Sequence, residues 1–160
     1  MQMNPAMAAA PTAKYIEQQV QAIEQVCIER SVRMTAMRRE VYRALVASAA
    51  PLTAYDLMDQ LSERLGRRLA PPTVYRALEF LLDQALIHRL ESTNAYLPCN
   101  HPGTEHDSVY LLCQECGVTQ ELTDERVGLL IFEQANERGF NPVRQVIEVQ
   151  GICADCAPPL

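Results

Sequence analysis

The chain has 160 residues, 48% of them hydrophobic, with no Trp and six cysteines. That length allows one ordinary domain or two very small ones, and a core of under roughly 80 residues usually needs a metal, a disulfide or a partner chain. Read over the whole chain, the formal charge of -6 argues against a nucleic-acid binder, and no apolar run reaches the roughly 18 residues of a membrane span. The average conceals a division. Up to Leu90 the balance is +2, and after it -8, with five of the six cysteines and two of the three histidines in the acidic part. The two parts are expected to do different jobs.

Residues 1–12 carry Ala, Met and Pro but no basic segment followed by an apolar one, so a flexible tail is expected there and not a signal peptide. A cytoplasmic protein is expected. In a reducing cytosol its cysteines are metal or redox groups and not disulfides.

Ile16, Val20, Ile23 and Cys27 recur at helical spacing and predict a helix from about Lys14 to Arg30, with Cys27 as a small apolar core residue. Thr35 can cap a second helix carrying Val41, Leu45 and Val46, which stops before Pro51. Thr53 and Asp56 have the spacing of a capping box at the head of a third, with Leu57, Met58, Leu61 and Leu65 on its apolar face and Gly66 at its end. Prolines are favoured at a helix entry, so Pro71 and Pro72 open a fourth helix, Pro72 to Gln84, that buries Val74, Leu78, Leu81 and Leu82. Strand-like runs from Leu86 to Glu91 and from Ala95 to Leu97 flank the turn composition Ser92-Thr93-Asn94.

Helices followed by a hairpin describe a winged helix-turn-helix over residues 13–97. Its recognition helix would be the fourth, exposing Thr73, Tyr75, Arg76 and Glu79. An arginine there suits bidentate contact with guanine, and a tyrosine can reach phosphate or a thymine methyl. The alternative is a plain solvated face. Phosphate attraction is expected from Arg33, Arg38, Arg39, Arg67, Arg68 and Arg76.

Pro, Gly, Asn and polar residues mark a hinge at 98–107. Beyond it, residues 108–160 predict strands at Val109 to Cys113, Val118 to Leu122 and Val143 to Gln150. A helix from Thr123 to Arg138, carrying Val127, Leu130 and Ile131 and ending at Gly139, lies between the last two. The fold class is α+β: an N-terminal winged helix-turn-helix and a C-terminal α/β domain.

Cys113-x-x-Cys116 and Cys153-x-x-Cys156 are two knuckles 36 residues apart. Tetrahedral zinc wants four thiolates, two from each tight turn, and a closed site of this kind is structural. A pair of redox dithiols is the competing view, although no thioredoxin-like unit surrounds either pair. His88, Cys99, His106 and Glu121 are nitrogen, sulfur, nitrogen and oxygen donors on four segments around the hinge, with His101 as a spare. They could close a second tetrahedral site, or be ordinary surface and core residues.

Pro71-Pro72-Thr73-Val74-Tyr75-Arg76-Ala77-Leu78, then Ile87-His88-Arg89-Leu90-Glu91-Ser92-Thr93-Asn94, then the two CxxC pairs, occur in an order that resembles the ferric uptake regulator superfamily over about residues 14–156. The chain looks most like its zinc uptake regulator branch. The resemblance implies a homodimeric, metal-activated transcription regulator that represses zinc-uptake genes. No enzymatic activity and no small-molecule substrate are expected, since a zinc deaminase would want His-x-Glu with a later Pro-Cys-x-x-Cys and neither Cys113 nor Cys153 follows a proline. The resemblance also implies two zinc ions per chain, one structural on Cys113, Cys116, Cys153 and Cys156, and one regulatory on His88, Cys99, His106 and Glu121. It further implies DNA contacts at Tyr55 and Arg76, with residues 108–160 forming the dimerisation domain.

The histidine-rich cluster of iron-sensing relatives is reduced here to Glu105-His106-Asp107-Ser108, and the Cys99 thiolate favours zinc over ferrous iron. An iron- or peroxide-responsive regulator on the same scaffold, or a thiol switch, are the rival functions. Zinc loading barely alters the net charge, so its leverage on DNA binding is expected to be geometric, through ligands contributed by winged helix, hinge and dimerisation domain.

Overall fold

The computed structural model describes residues 11–102, 109–122, 124–143 and 145–157. The chain divides into two units, residues 1–104 and 105–160. Unit one contains α1 (Ala13–Glu29), α2 (Ala36–Ala47), β1 (Leu52–Thr53), α3 (Ala54–Leu65), α4 (Pro71–Asp83), β2 (Ile87–Leu90) and β3 (Ala95–Pro98).

Several helix ends have a local cause. Thr12 and Thr35 cap α1 and α2 through their hydroxyls. The box on α3 is complete: the Thr53 amide donates to Asp56 Oδ2 at 2.8 Å, and the Asp56 amide to Thr53 Oγ1 at 3.2 Å. Gly66 takes the left-handed conformation, φ 62°, that closes α3 at no steric cost. Pro71 stands one residue earlier in α4 than expected and occupies the first position, where an amide would go unused.

The apolar faces of α1 to α4 meet in one core built on Val20, Ile23, Tyr42, Leu45, Leu57 and Leu81, against which Leu86, Ile87 and Tyr96 of the hairpin side pack. Cys27 is buried in this core, as expected. Leu65 is not: it is the last residue of α3 and is 37% exposed. The hairpin also has a third strand. β1 pairs antiparallel with β3, giving the order β1-β3-β2 and tying the entry of α3 to the wing.

Unit two contains β4 (Val109–Cys113), β5 (Thr119–Leu122), α5 (Glu125–Glu137) and β6 (Ile147–Gly151), with sheet order β5-β4-β6. β4 runs antiparallel to β5 and parallel to β6, so the chain must cross over between β5 and β6, and α5 lies in that connection. β6 starts later than the pattern suggested. Val143 follows Pro142 and is 96% exposed; a proline offers no amide to a ladder. Leu130 and Ile131, among the apolar residues expected on this helix, are exposed together with Leu129 and Phe132. Among the described residues, no helix is long and apolar enough to cross a membrane.

Candidate metal centre and nucleic-acid interface

The parallel register of β4 and β6 sets Cys113 opposite Gly151, so the two CxxC turns begin side by side at one end of the sheet. The first turn closes through Gly117 N–H donating to the Cys113 carbonyl, with Gly117 at φ 73°. A β-carbon at that φ would be strained, which explains the glycine directly after the knuckle. The second closes through the amides of Cys156 and Ala157, which both donate to the Cys153 carbonyl.

All four sulfurs of Cys113, Cys116, Cys153 and Cys156 lie within 4.8 Å of one another. Zinc–thiolate bonds of about 2.3 Å in a tetrahedron place sulfurs about 3.8 Å apart. Cys116 Sγ and Cys153 Sγ are 3.7 Å apart, so the donor set fits zinc in number, chemistry and spacing.

The electrostatics agree. The Cys113 thiol is lowered to about 6 by backbone N–H groups of Cys116 and Cys153, and the Cys153 amide lies 3.3 Å from its sulfur. Cys156 is pushed up to about 12 by the neighbouring thiols of Cys153 and Cys116. Four sulfurs this close cannot all be thiolates unless a cation balances them.

His88 and Cys99 come together within unit one. His88 pairs with Leu97 across β2 and β3, and the Cys99 amide donates to the Leu86 carbonyl, continuing the ladder. In an antiparallel pair this makes them diagonal neighbours on one face, about 7–8 Å apart at most, within reach of a single ion. Cys99 is buried and His88 half-buried. Glu121 lies on β5 in the second unit, half-buried, in register with Tyr110. His106 lies outside the described residues. His101 is exposed.

On the helix-turn-helix, α4 buries Val74, Ala77, Leu78 and Leu81 and leaves Thr73, Tyr75 and Arg76 exposed. Tyr55, in the first turn of α3, is 71% exposed. A large aromatic ring in water at a helix entry has no packing role. The basic residues differ in their partners within the protein. Arg39 pairs with Glu24, Arg43 with Glu17 and Glu40, and Arg64 with Glu40. Arg38 donates to the Arg33 carbonyl and lies 3.5 Å over the Phe80 ring. Arg38 and Arg39, expected among the phosphate contacts, are therefore held by the protein itself.

A winged helix of three helices and a wing, preceded by a further helix and followed by an α/β unit with a four-cysteine cluster that fits a metal ion, defines the class: a metal-binding helix-turn-helix protein. The model of the ferric uptake regulator family matches residues 29–150. The zinc uptake regulation protein of Escherichia coli (strain K12) is 40% identical over 134 residues, covering 83% of this chain and 78% of that protein. The chain belongs to the ferric uptake regulator family.

Among solved structures, a zinc uptake regulator complexed with zinc and DNA is 37% identical with a TM-score of 0.84, covering 91% of this chain and 96% of that one. The crystal structure of holo XcZur is 40% identical with a TM-score of 0.80, covering 87% and 96%.

Proposed function

We propose that the chain is a zinc-responsive transcriptional regulator that binds operator DNA as a zinc-loaded homodimer and represses zinc-uptake genes. The observation that carries this is the 40% identity to the Escherichia coli zinc uptake regulation protein along most of both chains. The function is regulatory and not enzymatic, and it is exercised in the cytoplasm.

Two zinc ions per chain complete the reading. When bound, zinc supplies a crosslink between donors and no chemistry on a substrate. Cys113, Cys116, Cys153 and Cys156 hold the structural ion; their mutual spacing supports this. His88, Cys99, His106 and Glu121 hold the regulatory one; the shared hairpin face of His88 and Cys99 and the softness of the Cys99 thiolate support this. Residues 13–97 form the DNA-binding domain, 98–107 the hinge and 108–160 the dimerisation domain.

Tyr55, Thr73, Tyr75 and Arg76 face the operator. A dimer on a near-palindromic site sets two α4 helices about 34 Å apart in successive major grooves. Zinc and operator enhance each other's affinity by a common factor, since one arrangement of the protein binds both best.

Metal content per chain before and after mild chelation, paired with a mobility-shift titration, tests this. The expected result is two zincs, one easily removed, with DNA binding lost along with it. Cys99→Ser should remain a folded dimer holding one zinc and lose zinc-dependent operator binding. A variant with unchanged zinc dependence would remove Cys99 from the regulatory site.

A further inference from the structure

Helix-turn-helix proteins commonly anchor a DNA phosphate on the free amides at the N-terminus of a helix. In α4 those donors are missing. Pro71 and Pro72 have no N–H, and the Thr73 amide already donates to the Ala70 carbonyl at 2.9 Å. The helix that reads the groove therefore enters it without the usual backbone anchor.

The turn just before it has what the helix lacks. Arg67 and Arg68 are both exposed, and neither has an ion pair among the described residues. This sets them apart from Arg39, Arg43 and Arg64. The turn is also held at both ends. Gly66 adopts φ 62°, the Arg67 amide donates to the Ser62 carbonyl, and the Leu69 amide to Ser62 Oγ at 3.1 Å. Leu69 is itself buried, 5% exposed. Two adjacent guanidinium groups thus stand on a backbone that needs little further ordering when an anion arrives.

We propose that the α3–α4 turn is the phosphate anchor of the recognition helix, with Arg67 and Arg68 pairing with backbone phosphates beside the groove that α4 enters. This rests on the regulator reading above and assigns the two arginines to positioning, not to base readout. Ser62 is the positioning residue that holds the turn.

Each phosphate contact contributes roughly 0.9 to the slope of log affinity against log salt. The test measures operator affinity across a salt series, with zinc saturating, for the wild-type chain, Arg67→Gln/Arg68→Gln and Arg39→Gln. The double variant should lower the slope by roughly 3.6 per dimer, two contacts in each chain, and weaken operator and scrambled duplexes by the same factor. Arg39→Gln should keep the wild-type slope, because Glu24 already holds that arginine.

An unchanged slope in the double variant overturns the proposal, as does a loss confined to the operator sequence. If the wild-type chain binds no duplex at any zinc level, the regulator reading fails and the proposal with it. If it binds and the double variant keeps its slope, only the anchor fails. Thermal melting of the double variant, expected to match wild type because both side chains are exposed, keeps unfolding from imitating a lost contact.

Discussion

Cys113 ends β4 opposite Gly151 of β6 in a parallel ladder, and Cys153 follows that glycine by two residues. Two cysteines forty positions apart in sequence thereby become neighbours, with the Cys153 amide 3.3 Å from the Cys113 sulfur. The ladder aligns the knuckles, and the knuckles in turn pin the end of a parallel pairing that is costly to close in so short a unit.

Replacing Cys113 should therefore damage folding and metal binding together. Cys113→Ser removes one of four thiolates and leaves a hydroxyl that binds zinc poorly at neutral pH. The variant should contain one zinc fewer per chain and lose cooperative melting of the second unit, while the helical signal of α1 to α4 persists. Metal analysis with circular-dichroism melting checks both. A variant with full metal content and wild-type melting would show that the tetrathiolate site is not structural.

The capping box on α3 gives a pH-dependent expectation. The Asp56 carboxyl is lowered by the Thr53 hydroxyl and then by the Thr53 amide, so the folded state favours its charged form. A carboxylate whose folded value lies below its unfolded one adds stability above the unfolded value, about 3.9. That stability disappears as pH falls through the lower, folded value. The residue is solvent-exposed, so screening limits the effect to about 0.5–1 kcal/mol. Asp56→Asn should melt below wild type at pH 7, and the two curves should converge towards pH 2. A difference that stays constant over this range would mean that the Asp56 charge plays no part.

What was legible in the sequence is what has a local cause. Thr35, the Thr53–Asp56 pair, Gly66 and the prolines before Thr73 mark their helix ends from within a few residues, and the CxxC pairs announce a metal centre by spacing alone. The two-residue strand Leu52–Thr53 was not legible, because it exists only through its pairing with Ala95 and Tyr96. Nor was the sorting of the arginines. Arg39 and Arg67 look alike in sequence, and only the fold places Glu24 beside the first and leaves the second in water. The diagonal placement of His88 and Cys99 likewise depends on the register of β2 and β3, which periodicity does not supply.

The exposed apolar side chains of α5 lead to the last prediction. Leu129, Leu130, Ile131 and Phe132 are 57%, 59%, 41% and 42% exposed, and Val149 and Ile152, on and just after β6, are 48% and 47% exposed. Four consecutive apolar residues span all sides of a helix, so packing on a single sheet would leave some of them in water. Apolar surface of this extent in so small a unit is what a partner subunit covers. If the second copy of the chain covers it, Leu129→Asp/Phe132→Asp should shift the protein from dimer to monomer in analytical ultracentrifugation. Each buried carboxylate would cost several kcal/mol across the interface, and the two-fold repetition doubles the effect. The monomer should keep its tetrathiolate zinc, since none of those cysteines lies on α5, but should lose cooperative operator binding because one half-site is then left unread. A double variant that stays dimeric would place the dimer contact elsewhere.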